Sequence, residues 1–125
     1  MPDAAKALKS FRYAIQGVIF LFGKENNAKI HLLAGVCVVG IALFLDLNAT
    51  QWMILILQIA FVMVAEAFNT AIEKLCDVVS KDHHPVIGTV KDIAAGGVLI
   101  AAISAVITGL LLFIPKLLEK ADIVI

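Results

Sequence analysis

The chain has 125 residues, 62% of them hydrophobic and 16% charged, with a mean hydropathy of +1.01. Soluble domains are roughly 45–50% apolar, so the composition argues against a water-soluble globular protein. Ten acidic residues balance ten basic ones, which leaves no cationic surplus to attract nucleic acid.

A single domain is expected at this length. Residues 4–23 read as an amphipathic helix: Leu8, Phe11, Ile15, Val18, Ile19 and Phe22 share one side, and Lys6, Lys9, Arg12 and Gln16 fill the other. A basic face opposite an apolar one suits a helix lying in the membrane interface. It does not read as a cleavable signal, because its apolar run is interrupted by Gln16 and no small-residue cleavage site follows. Lys24 to Lys29 is a polar break. Residues 30–47 form the first spanning segment, close to the ~20 residues that a bilayer core requires. His31 near its start is explained as an amphipathic ring at the headgroup level. Asp46 to Thr50 is a short polar turn, and Trp52 fits an interfacial anchor. A second span is expected over 51–79, a loop over 80–88, and a third span over 89–114 that ends before Pro115. Gly97, Ala101, Ala105 and Gly109 make a small-residue stripe along the third span, which permits close helix approach within the chain or between copies. Cys37 and Cys76 lack metal or redox spacing and read as buried small apolar residues.

The second span carries the chemistry. Glu66 appears while the segment is still apolar, and Asn69, Glu73 and Asp77 follow at steps that hold all four within roughly 80° of one helical stripe. An ionisable residue in a span costs roughly 3 kcal/mol on insertion scales and marks a functional site by default. Lysine and arginine placement puts the N-terminus and the Lys74–Lys91 region in the cytoplasm, so the stripe descends to that face.

Glu25, Glu66, Asn69, Glu73, Asp77, Lys91 and Asp92 are then the polar groups available at that boundary. Oxygen ligands suit Mg²⁺, which binds through one or two carboxylates plus substrate phosphates. A lysine beside them neutralises phosphoryl charge, and a carboxylate deeper in the membrane can accept a proton from a lipid hydroxyl. Phosphoryl transfer from Mg-ATP to a lipid alcohol is one reading of these parts. A small proton-coupled transporter or channel subunit that uses Glu66 is the alternative. Two motifs carry less. Gly17 to Lys24 has one residue too many for a P-loop, and Glu25 follows where Ser or Thr is required. The adjacent His83-His84 pair cannot easily chelate one tetrahedral ion.

Glu66-Ala-Phe-Asn69-Thr-Ala-Ile-Glu73-x-x-x-Asp77, then His84, then Lys91-Asp92-x-Ala-Ala, resembles the prokaryotic membrane-integral diacylglycerol kinase and undecaprenol kinase family. The likeness extends from about Phe11 to Pro115 and includes Gly17 and Glu25. It implies an all-α polytopic membrane protein, with one interfacial helix and three transmembrane helices in a homotrimeric bundle. It also implies a kinase of the bacterial cytoplasmic membrane that acts on diacylglycerol or undecaprenol, with ATP as co-substrate and Mg²⁺ as cofactor. By the same resemblance, Glu66 is the base for the lipid hydroxyl and Asn69 orients Glu66 or the phosphates. Glu25 and Glu73 hold the metal on ATP, Lys91 and Asp92 contact nucleotide, and Tyr13, His83 and His84 line its pocket. Lys6 stands where diacylglycerol enzymes commonly carry arginine. Ala95 stands where some of them carry serine, a departure that leans towards the undecaprenol branch.

Overall fold

The structure is a computed structural model and describes residues 1–122. Four helices follow one another: α1 (Ala4–Lys24), α2 (Asn26–Phe44), α3 (Ala49–Val79) and α4 (Pro85–Lys120). There is no strand among the described residues. α2, α3 and α4 are each long and apolar enough to cross a membrane. At 1.5 Å per residue α3 is about 46 Å long, against a hydrocarbon core of ~30 Å. It can therefore cross a bilayer and still carry polar turns into water at one end.

Local sequence accounts for the helix limits. The Asp3 carboxylate accepts from the Ala5 and Lys6 amides and starts α1. Asn48 and Gln51 form a reciprocal capping box at the start of α3, both bonds at 2.9 Å, which satisfies two amides that the helix leaves free. The turn before it places Asp46 at φ 51°, a left-handed conformation that a short polar side chain tolerates. Pro85 begins α4, where its missing N–H costs nothing.

Several boundaries differ from the sequence expectation: α2 ends at Phe44 rather than 47 and α3 starts at Ala49 rather than 51, and three differences are larger. The polar break narrows to the single extended residue Glu25, because Asn26, Asn27 and Lys29 already belong to α2. The loop after α3 shortens to 80–84. α4 also continues through Pro115 to Lys120. Proline removes one backbone bond there, but spanning helices accommodate such losses, and the extra turn is anchored across the bundle. Lys116 donates to the Asp46 carbonyl at 3.5 Å, and Lys120 donates to the Phe44 carbonyl while lying over the Phe44 ring. Two lysines thus neutralise the carbonyl end of α2, where positive charge is favourable.

α3 packs most extensively on α4, then on α2, and α1 makes the lighter contacts. The buried apolar cluster of Ala42, Leu55 and Leu112 lies at the C-terminal end of α2, with Trp52 and Phe113 packed against it. Trp52 is therefore partly a core residue as well as a boundary one. Cys76 is buried as expected, but Cys37 is exposed on α2. Of the small-residue stripe, Ala101 is fully buried within the chain, Ala105 and Gly109 line a groove between α2, α3 and α4, and Gly97 is exposed. Midway along the contact of α3 with α4, Ser104 donates to the Gln58 side chain at 3.2 Å.

Candidate functional site

Because successive helices run in opposite directions, the start of α2, the second half of α3 and the start of α4 meet at one end of the bundle. That end is opposite the apolar cluster, and it collects most of the residues singled out from sequence. Glu66 is the most completely covered of them, with its side chain only 2% exposed. Asn69 and Thr70 are also buried, Glu73 is half-buried and Asp77 is exposed. The stripe on α3 thus runs from a dry end to a wet one, as expected from a polar row that begins inside the apolar run and continues past its end.

The buried end has an unfinished hydrogen-bond network. Asn69 donates through Nδ2 to Glu73 Oε1 at 3.3 Å, which leaves its own Oδ1 covered and without a partner. Oε1 of Glu66 is also covered without a directed bond. Burying such acceptors unpaired costs roughly 1–3 kcal/mol each, so the pair is a place where a donor from outside the chain is favoured. His31 Nδ1 approaches Glu66 Oε1 to 2.8 Å. Neither atom has hydrogen-bond geometry, so this is a close electrostatic contact rather than an aligned bond.

Towards the wet end, charges from different elements face one another. Lys74 Nζ lies 3.4 Å from Glu25 Oε1 and 5.7 Å from the centre of the Phe20 ring, tying the α1–α2 corner to α3. Glu25 therefore meets α3 at the residue after Glu73. Lys91 donates to Asp77 Oδ1 at 2.7 Å, which joins the start of α4 to the last turns of α3. Asp92 follows Lys91 and is exposed. His84 caps α4, its Nδ1 accepting from the Val86 amide at 3.1 Å. His83 is exposed in the connecting loop. Tyr13 is exposed on α1, apart from these pairs, and its hydroxyl makes no hydrogen bond among the described residues.

The groove between α2, α3 and α4 has a volume of about 440 Å³ and is almost wholly apolar; Gly35, Val62, Ala105 and Phe113 are among the residues that line it. His31 lies on its wall and touches Glu66, so the apolar groove and the polar stripe meet at that histidine. The arrangement can admit a hydrocarbon chain, hold a hydroxyl against a buried carboxylate and gather phosphates at the charged boundary. Among the described residues no group of three or more His, Cys, Asp or Glu side chains could hold a metal by itself. Glu25 and Glu73 are half-buried carboxylates at the charged end, a donor type that suits Mg²⁺, which takes one or two carboxylates from a protein and the rest from phosphates and water.

Two participants were not assigned a site role from sequence. His31 was explained by headgroup depth, and Lys74 counted only towards topology. The cost of an ionisable ring inside a span is the one signal that marks His31, and no spacing rule joins it to a residue on another helix.

Residues 12–113 match the family model described as prokaryotic diacylglycerol kinase. A diacylglycerol kinase from Synechocystis sp. is 43% identical over 117 residues, covering 93% of this chain and 67% of that protein. An undecaprenol kinase from Bacillus subtilis is 38% identical over 109 residues, covering 87% of this chain and 89% of the relative. A diacylglycerol kinase from Escherichia coli K12 is 33% identical over 103 residues, covering 82% of this chain and 84% of the relative.

Proposed function

The chain belongs to the prokaryotic diacylglycerol kinase family, and from that premise we propose that it moves the γ-phosphate of ATP onto the hydroxyl of a membrane lipid alcohol. Family membership makes it a phosphotransferase with an alcohol acceptor and removes the support for a proton-coupled transporter. The observation that carries the finer reading is the position of Glu66. It is buried, short of a hydrogen-bond donor, and set where an apolar groove reaches a row of carboxylates.

In this reading the lipid tail lies along the groove and its hydroxyl reaches Glu66 and Asn69. Asn69 Oδ1 orients the hydroxyl, and Glu66 takes its proton as the oxygen attacks the γ-phosphorus. The bond from the γ-phosphorus to its bridging oxygen breaks, and ADP leaves with the electron pair. Glu25 and Glu73 would hold Mg²⁺ with the nucleotide, and the ion would offset negative charge on the phosphates. Lys91 neutralises phosphate charge, after exchanging Asp77 for the nucleotide. Asp92, Tyr13, His83 and His84 are assigned to the nucleotide pocket on the family resemblance. The exposed placement of these four leaves them open to a ligand.

The site faces the cytoplasm, an orientation supported by Lys6, Lys9, Arg12, Lys24 and Lys29 before the first span and Lys74, Lys81 and Lys91 after the second. We place the enzyme in a closed cyclic trimer, as the family resemblance implies. Co-assembled Glu66→Gln and Lys91→Ala subunits recover part of the activity if the site is composite. Verified mixed oligomers that stay inactive would put both groups in one subunit.

Diacylglycerol and undecaprenol are the acceptors in the names of the relatives. The deciding experiment offers each lipid separately, in mixed micelles, to purified protein with radiolabelled ATP and Mg²⁺. Label must appear in phosphatidic acid or in undecaprenyl phosphate. Absence of label from both lipids would overturn the proposed function.

A further inference from the structure

A general base acts only when its oxygen is held where the proton will be. A glutamate has three side-chain torsions, and a displacement of about 1 Å at a reacting centre can cost a hundred-fold in rate. No aligned hydrogen bond within the described residues fixes the covered oxygen of Glu66. Asn69 lies one turn on, but its amide is spent on Glu73. The group at the right distance is on a different helix: His31 Nδ1, 2.8 Å from Glu66 Oε1.

The His31 ring is 26% exposed, yet Nδ1 is fully covered, so the open part of the ring lies away from the carboxylate. His31 also forms part of the groove wall, whereas Glu66 does not. An occupant of the groove would therefore press on the ring whose nitrogen faces the base. The present contact is close but out of line, so a small rotation converts it into a charge-assisted hydrogen bond of ordinary length.

We propose that His31 is a positioning residue for Glu66: its Nδ1–H holds Oε1 and leaves Oε2 to accept the proton of the lipid hydroxyl, the ring being brought into line by a lipid in the groove. The inference rests on Glu66 being the base. It adds a side chain from α2 itself to a site otherwise read from α1, the α1–α2 corner, α3 and the α4 start, and it makes the alignment of the base depend on the acceptor lipid.

Two substitutions separate positioning from packing. Asparagine carries an N–H at the same number of bonds from Cα as Nδ1 of histidine. Leucine fills similar space without a donor. The measurement is steady-state transfer from radiolabelled ATP with either lipid, each variant first checked for oligomer size and thermal unfolding in detergent. His31→Leu is expected to lower kcat by about ten- to a hundred-fold, the scale of a misplaced catalytic group, with the KM for ATP unchanged. His31→Asn recovers most of the rate. In a Glu66→Gln background, His31→Leu costs nothing further, because the group it positions is already gone.

A full kcat in His31→Leu, an equally slow His31→Asn, or an undiminished further loss in the Glu66→Gln background would each overturn the assignment. The premise fails separately: if Glu66→Gln alone turns over at the wild-type rate, Glu66 is not the base. A slow Glu66→Gln beside a full-rate His31→Leu leaves the base in place and removes only His31.

Discussion

Replacing Glu66 by glutamine changes one oxygen to an amide nitrogen and nothing else in shape. The side chain is 2% exposed, so the isostere opens no cavity. Its amide can turn its oxygen to His31 and so keep the contact that glutamate makes. The substitution also removes a buried carboxylate, whose desolvation costs several kcal/mol and is only partly offset by a partly exposed histidine. Thermal unfolding in detergent is therefore expected at the same temperature or higher. Turnover is expected to fall by 10²-fold or more, the scale of losing a general base, or about 2.7 kcal/mol of barrier. The KM for ATP is expected to stay put, since the groups proposed for nucleotide and metal, Glu73, Glu25 and Lys91, lie towards the wet end. The assay is initial-rate phosphate transfer at saturating lipid, with ATP varied, on protein of verified oligomer size. Near-normal turnover would refute the base assignment. A loss carried wholly by the KM for ATP would move Glu66 to nucleotide binding. A fall in stability matching the fall in rate would make the residue a packing element.

Glu25→Gln and Glu73→Gln are each expected to raise the Mg²⁺ concentration needed for half-maximal rate; an unchanged Mg²⁺ titration in both would sink the metal role. Gln58→Leu and Ser104→Ala each remove one interhelical hydrogen bond within the spans. A double-mutant cycle on unfolding should return a coupling of about 0.6 kcal/mol, the average for such bonds in membranes, and a zero coupling would show that this bond does not stabilise the packing of α3 on α4. Ala105→Leu adds bulk to the groove wall and is expected to raise the KM for lipid with the oligomer intact. Loss of the oligomer with an unchanged KM for lipid would return that position to a seam between copies.

Glu66, Asn69, Glu73 and Asp77 show how far local information reaches. A helix has one period, so four residues at suitable steps share a face in any tertiary setting. Their graded burial follows from where the apolar run ends. The number of spans was legible for the same reason: a bilayer demands apolar runs of fixed length. Boundaries were less so. Pro115 signals an end to α4, yet the helix continues past it, with Lys116 and Lys120 anchored on the carbonyl end of α2.

The contacts between helices were decided by the fold. His31 meets Glu66, Lys74 meets Glu25 and Lys91 meets Asp77 because antiparallel helices return their ends to the same place, a relation that one-dimensional spacing does not contain. The small-residue stripe is the same case. Sequence establishes that another helix can come close, while the fold buries Ala101 within the chain and turns Ala105 and Gly109 to the groove. Hydrophobic length and helical period are properties of one segment, and they determined the spans and the polar stripe. Partner choice between segments depends on the depth and rotation at which whole helices pack, and so the histidine beside Glu66 emerged only in three dimensions.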